Sequence, residues 1–171
     1  MDLMFKLSDL QEFQALDPII SKDCTTLVLV SMPSEASHQE NFYFADPANR
    51  FWVLMEILFH MPTATRSEQL ELLAVHHIGI WSVIKTCLRY KSREDTMEDI
   101  VVNDMQSFLA QYPRINRIVC VSHDTMRLLQ EADPQAALMA SYVPSPSTDD
   151  LWYDSVDQLI PDYAKAFGVF L

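Results

Sequence analysis

Apolar residues in this chain gather in short unbroken runs separated by stretches of helical period. "TTLVLVS" (25–31) is a continuous β-branched and aliphatic run, the pattern of a strand covered on both faces. "IGIWSVI" (78–84), "NRIVCVS" (116–122) and the weaker "ALMASYV" (137–143) repeat it. Between them, "NRFWVLMEILFHM" sets Phe51, Leu54, Met55 and Leu58 on one helical face. Asp46 or Asn49 is placed to cap that helix, and Pro47 suits its first turn. Further helices are predicted over 67–77 with Ser67 as cap, over 98–113 ending at Pro113, over "TMRLLQEA", and near 153–167. A first helix is expected in "LSDLQEFQALDPII", capped by Ser8 or Asp9 and stopped before Pro18.

Strands alternating with helices predict one α/β domain over 1–171, a three-layer α/β/α sandwich around a central, mostly parallel four-stranded sheet. Ligand chemistry in such folds gathers at the carboxyl ends of the strands. Here those ends are "SMPSEAS", the segment after Ile84, "SHDTM" and "PSPSTDD".

Composition narrows the chemistry. Hydrophobic residues make up 49% and charged residues 21% of the 171 residues, a globular balance. No apolar run reaches the ~18 residues needed to span a bilayer, and the acid at Asp2 with no basic segment before an apolar core does not fit a secretory signal. The cytoplasm is the expected compartment. Cys24, Cys87 and Cys120 are too far apart for a metal-binding pair and read as buried reduced thiols. With two glycines, Gly79 and Gly168, no glycine-rich phosphate loop can be assembled. The net charge of -12 argues against broad non-specific nucleic-acid binding. Lys85, Arg89, Lys91 and Arg93 nevertheless cluster with no acid among them. By default such a cluster is a solvated loop; its functional reading is a phosphate track.

The run "FYFADPANRFW" is the most unusual in the chain, a rigid turn set among aromatic rings. With Tyr43, Phe44, Ala45, Pro47, Asn49, Phe51 and Trp52 it matches a Y-[FY]-A-x-P-x-N-x-F-W pattern. The S-M-P step after the first strand, the "IGIWSVI" strand, the V-N-D step at 102–104 and the P-S step after the fourth strand follow in order. From Thr25 to Ser147 the chain resembles the uracil-DNA glycosylase superfamily, closest to its hypoxanthine-DNA (deoxyinosine) glycosylase branch.

That resemblance implies a DNA glycosylase that flips a deaminated or mismatched base out of the stack and hydrolyses its N-glycosidic bond, in base-excision repair, with no metal or other cofactor. The catalytic Asn of the branch falls on Asn49, whose uncharged amide can position a water or stabilise the leaving base. Tyr43 and Phe44 are then stacking surfaces, and Ser31, Met32, Pro33, Ser122, Pro144 and Ser145 substrate contacts. Lys85, Arg89, Lys91 and Arg93 would hold the DNA backbone. Without the resemblance, Asn49 reads as a turn or cap residue, and Phe51 and Trp52 as core. His76 and His77 share no face and read as structural or solvated; His123 is a candidate for the pocket.

The chain also departs from the family. The usual G-S-M-P-G is Val30-Ser31-Met32-Pro33-Ser34, H-P-R-N is Asp46-Pro47-Ala48-Asn49, N-G after the third strand is Val121-Ser122, and the loop after the fourth strand carries Asp149 and Asp150. These changes motivate a second reading: a catalytically impaired glycosylase fold that binds a protein or a nucleobase-like ligand.

Overall fold

The computed structural model describes residues 7–147 and 155–171. After a 3-10 turn (Leu7–Asp9), the elements run β1 (Gln11–Gln14), β2 (Thr26–Val30), α1 (Glu35–Glu40), α2 (Phe51–Phe59), α3 (Arg66–Val75) and β3 (Ile78–Ser82). Then come β4 (Ile84–Tyr90), β5 (Arg93–Val102), α4 (Met105–Gln111), β6 (Arg117–Val121), α5 (His123–Ala132), α6 (Pro134–Ala137), β7 (Ala140–Val143) and α7 (Val156–Phe167).

The four apolar runs form one parallel sheet in the order β3-β2-β6-β7. Alternate side chains of a strand point to opposite faces, and both faces are covered. Val28, Ile80 and Val119 pack with Leu54, Leu58, Leu72 and Tyr163, from α2, α3 and α7. Leu27, Leu29, Ile118 and Cys120 pack with Met105, Phe108, Leu129 and Ala136, from α4, α5 and α6. The three-layer α/β/α architecture expected from the sequence is therefore present.

Gly79 marks where β3 meets the chain leading into β2. A Cβ there would lie 2.6 Å from Ile20 Cδ1 and 3.0 Å from the Ile19 carbonyl oxygen, while Ile19 and Ile80 form an antiparallel bridge. Gly79→Ala is therefore expected to destabilise the protein by ~1–3 kcal/mol, the usual cost of overpacking a core. Urea unfolding measures it.

A second, antiparallel sheet, β1-β4-β5, was not expected. It corrects three readings. The helix expected from Ser8 to Asp17 is a 3-10 turn followed by β1, because Gln11–Gln14 pairs with Arg89–Thr86 and brings Phe13 against the core. The segment after Ile84 is the hairpin β4–β5 rather than a loop. The helix expected over 98–113 begins only at Met105, since Arg93–Val102 is drawn into pairing with β4. Asn103 joins the two sheets by donating to the carbonyls of Ser82 (2.9 Å) and Ile84 (3.3 Å).

Smaller corrections concern helix ends. Thr65, not Ser67, caps α3, in a capping box with Glu68. Arg50 occupies the N-cap position of α2, without a side-chain cap, so neither Asp46 nor Asn49 stands there. The short helices α1, capped by Ser34, and α6, capped by Asp133, were not foreseen. Cys24, Cys87 and Cys120 are free and buried. Burial pushes their thiols up, to about 11 at Cys24 and about 12 at Cys120, so they stay protonated and inert. Asp149 and Asp150 lie outside the described residues.

Candidate active site

At the carboxyl edge of the parallel sheet the chain encloses a cavity of about 450 Å³. Its walls come from five places. The end of β2 supplies Ser31, Met32 and Pro33; the aromatic turn supplies Tyr43, Phe44, Asp46 and Asn49; the β6–α5 junction supplies Ser122 and Asp124. Ser145, Pro146 and Ser147 close it after β7, and the β4–β5 hairpin adds Arg89, Ser92 and Glu94. Eight of the nine residues expected at the base-binding centre therefore line one cavity. Pro144 does not; its carbonyl accepts from the Tyr163 hydroxyl at 2.7 Å, behind the wall.

The turn works by splitting its rings. Tyr43 is 2% exposed, and its hydroxyl donates to the carbonyls of Leu16 (3.1 Å) and Asp17 (3.0 Å). Burial raises its phenol well above the ordinary value, so it remains neutral. Phe44 adopts a left-handed backbone, φ 54°, unusual for a bulky residue. That reversal lays its ring on Phe51, 3.8 Å between centroids and 18° from parallel. Trp52, edge-on to Phe51, donates its indole N–H to the Tyr43 carbonyl at 3.2 Å.

Asn49 follows directly. Its backbone N–H donates to the Asp46 carbonyl at 2.9 Å, closing the turn. Its side-chain Oδ1 accepts from the Phe51 N–H, also at 2.9 Å. The amide is thus oriented by the first turn of α2, and Nδ2 is the end that can donate to a bound group.

Arg50 is a site residue that sequence reasoning missed. It is 9% exposed. Its backbone N–H (3.0 Å) and Nε (3.1 Å) both donate to the Pro146 carbonyl, and Nη2 donates to the Ser147 carbonyl at 2.7 Å. The wall after β7 is therefore fixed to the Asn49 turn. Hydrogen bonds to a charged group contribute ~1.5–3 kcal/mol each, so Arg50→Ala is expected to lower stability by at least that amount. The readout is the urea midpoint. An arginine before an apolar helix was the only local signal.

Ser122 carries the second strained backbone of the cavity, φ 94°, in the region that favours glycine. Its N–H donates to the Val143 carbonyl at 2.8 Å, and its hydroxyl accepts from the Thr125 N–H at 3.2 Å, capping α5. The backbone shape of a glycine is kept here by a serine held from both sides.

The basic quartet is divided, and the expectation at Arg89 needs correction. Arg89 is 1% exposed; its Nη2 donates to the Pro33 carbonyl at 2.9 Å and its Nε to the Lys91 carbonyl at 2.5 Å. The guanidinium lies 4.3 Å from the Phe13 ring centroid. It holds the Met32–Pro33 wall in place. Arg93 is paired with Asp95 at 2.7 Å, Lys91 lies beside the Tyr90 ring, and Lys85 is exposed on β4. The acidic and basic side chains on the wall are Asp46, Glu94, Asp124 and Arg89, so carboxylates outnumber cations.

The histidines lie elsewhere. His123 is exposed and meets the Tyr142 ring edge-on rather than facing the cavity. His76 packs on Phe59, and desolvation lowers its pKa. His77 pairs with Asp23 at 3.1 Å. Among the described residues no group of His, Cys, Asp and Glu could hold a metal, and no helix is long and apolar enough to cross a membrane.

Comparison with known proteins agrees with this geometry. The family model of the uracil DNA glycosylase superfamily matches residues 19–155. Two relatives are each named hypoxanthine DNA glycosylase. One, from Methanosarcina acetivorans, is 27% identical over 104 residues, 60% of this chain and 65% of the relative. The other, from Methanosarcina barkeri, is 24% identical over 108 residues, 62% of this chain and 68% of the relative. A solution NMR structure from Methanosarcina acetivorans, described as a candidate uracil DNA glycosylase, superposes with a TM-score of 0.77. It covers 92% of this chain and 97% of its own at 20% identity, which establishes a shared fold.

Proposed function

The chain belongs to the uracil DNA glycosylase superfamily, and on that premise we propose that it is a DNA glycosylase that removes hypoxanthine or uracil from DNA. The observation that carries the reading is Asn49: an oriented carboxamide on the wall of a cavity at the carboxyl edge of the parallel sheet.

The chemistry follows from what the wall offers. A flipped base enters the cavity against Phe44 and the Met32–Pro33 wall. As the bond between C1′ and the base nitrogen breaks, its electron pair stays with the base and spreads towards a ring carbonyl oxygen. Asn49 Nδ2 donates to that oxygen, where negative charge develops. A water oxygen bonds to C1′ and its proton leaves to the base or to solvent, giving a free base and an abasic site. With Oδ1 already engaged by the Phe51 N–H, stabilisation of the leaving base suits Asn49 better than activation of the water. An abasic site is the starting point of base-excision repair, and a reducing compartment such as the cytoplasm suits three unpaired thiols.

DNA contact must be local for a chain of net charge -12. Lys91 and Arg93 flank the hairpin turn that carries Ser92 and Glu94 to the cavity rim, and are the residues we assign to flanking phosphates. The test is a panel of single- and double-stranded oligonucleotides bearing inosine, uracil or xanthine, scored for alkali-labile abasic sites. Abasic sites at inosine or uracil are expected; intact oligonucleotides throughout would exclude the activity.

One observation favours a second reading, a binding module without catalysis. Three carboxylates on the wall face one guanidinium whose Nε and Nη2 already serve backbone carbonyls. Like charges weaken engagement of phosphates. That reading predicts retained binding of free bases with no abasic product.

A further inference from the structure

Resting on the glycosylase reading of this cavity, we propose that Glu94 selects the base: its carboxylate accepts the N1–H of a flipped hypoxanthine and disfavours imide bases such as uracil. Glu94 lies on the β5 side of the hairpin turn and lines the same cavity as Asn49. Its Oε1 accepts from the hydroxyl of Ser31, a residue 2% exposed at the end of β2. One carboxylate oxygen is thereby held, and Oε2 is the oxygen that can accept from a ligand.

The hairpin turn is built to keep the carboxylate there. The Thr96 hydroxyl donates to the Arg93 carbonyl at 2.6 Å and accepts from the Tyr90 N–H at 3.0 Å, closing the turn. Ser92 Oγ accepts from the Glu35 N–H at 2.8 Å, fastening the tip to α1. Arg89, two residues before the turn, donates to the Pro33 carbonyl. The rim contacts at Ser31, Pro33 and Glu35 thus tether one six-residue stretch of the hairpin, 89–94, with the exposed Glu94 reaching over the cavity rim to Ser31 while Arg93 and Asp95 pair with each other.

An ionised carboxylate only accepts. The N1–H of hypoxanthine lies between one carbonyl and a C2–H, so one carboxylate oxygen accepts the N1–H hydrogen bond while the other rests against C2–H. The N3–H of uracil and the N1–H of xanthine lie between two carbonyls, so the second oxygen must face an acceptor. Two desolvated acceptors facing each other cost as much as a lost hydrogen bond or more. Guanine, which also offers donors there, is protected by its pairing, since extrusion costs least for a damaged or mismatched base. Glu94→Gln replaces the acceptor pair by one donor and one acceptor, which complements the adjacent carbonyl and N–H of every one of these bases. Discrimination should collapse.

The experiment titrates free hypoxanthine and free uracil into the full chain and its Glu94→Gln and Ser31→Ala variants by calorimetry, beside single-turnover release from inosine and uracil oligonucleotides. The wild type is expected to favour hypoxanthine by about tenfold to a hundredfold. Glu94→Gln should bring the ratio to within about threefold, and Ser31→Ala, which releases Oε1, should narrow it partly. A wild-type ratio near one, a ratio unchanged in Glu94→Gln, or binding of neither base overturns the assignment. A Glu94-dependent preference without any release from DNA overturns the catalytic reading alone. Release that ignores Glu94→Gln overturns only the role of Glu94.

Discussion

Asn49→Ala should lower base release by about 10²–10³-fold, the loss seen when one donor to a developing negative charge is removed. The mutation deletes the Nδ2 donor from the cavity wall while leaving the rings of Tyr43 and Phe44 in place. It also removes the Oδ1 acceptor of the Phe51 N–H, which by analogy with helix-cap deletions costs ~0.5–2 kcal/mol. The two consequences are separable. Single-turnover rates report the first, and a urea midpoint the second. A rate that falls only as far as the folded fraction falls would show Asn49 to be a turn residue and nothing more.

Phe51→Ala is expected to have the largest effect on stability, ~3–5 kcal/mol for a large aromatic removed from a packed core. Phe51 is wholly buried, stacked on Phe44 at 3.8 Å and edge-on to Trp52 at 5.0 Å. Each such aromatic pair adds ~0.5–1.5 kcal/mol beyond its area. The loss reaches the site, because Phe44 holds its left-handed backbone against that ring. With its partner gone, Phe44 has no reason to stay on the cavity wall. Urea unfolding should show the drop in stability, and the folded variant should bind free hypoxanthine more weakly than the wild type. Unchanged base binding would show that Phe44 does not depend on the stack.

What was legible in the sequence follows from where the signal lay. The parallel strands could be read because a strand buried on both faces is written as a continuous apolar run, and 26–30, 78–82 and 117–121 are such runs. The antiparallel hairpin could not. Its register shifts three times along β4 and β5, which breaks the alternation that marks a half-buried strand. The acids of Arg93–Val102 instead resemble a solvated helix. β1 has the same difficulty, since Gln11, Glu12 and Gln14 are exposed and only Phe13 turns inward.

The site divides along the same line. The residues of the aromatic turn and of the β2 end were legible because their pattern is local: a proline, an asparagine two residues on, and rings on either side. Arg89 was misjudged because arginine is rarely buried, and only the fold brings the Pro33 carbonyl and the Phe13 ring to it. Glu94 was passed over within an acidic stretch. Its direction is set by Thr96 and Ser92 in its own hairpin and by Ser31, which only the fold brings to it.

The most direct test is chemical. A duplex carrying a single inosine is incubated with excess protein, and the small-molecule fraction is analysed by mass spectrometry for free hypoxanthine, with wild type and Asn49→Ala side by side. Hypoxanthine is expected in an amount equal to the abasic sites formed by the wild type, with a rate reduced about 10²–10³-fold in the variant. Equal release by both proteins, or no free base from either, would contradict it.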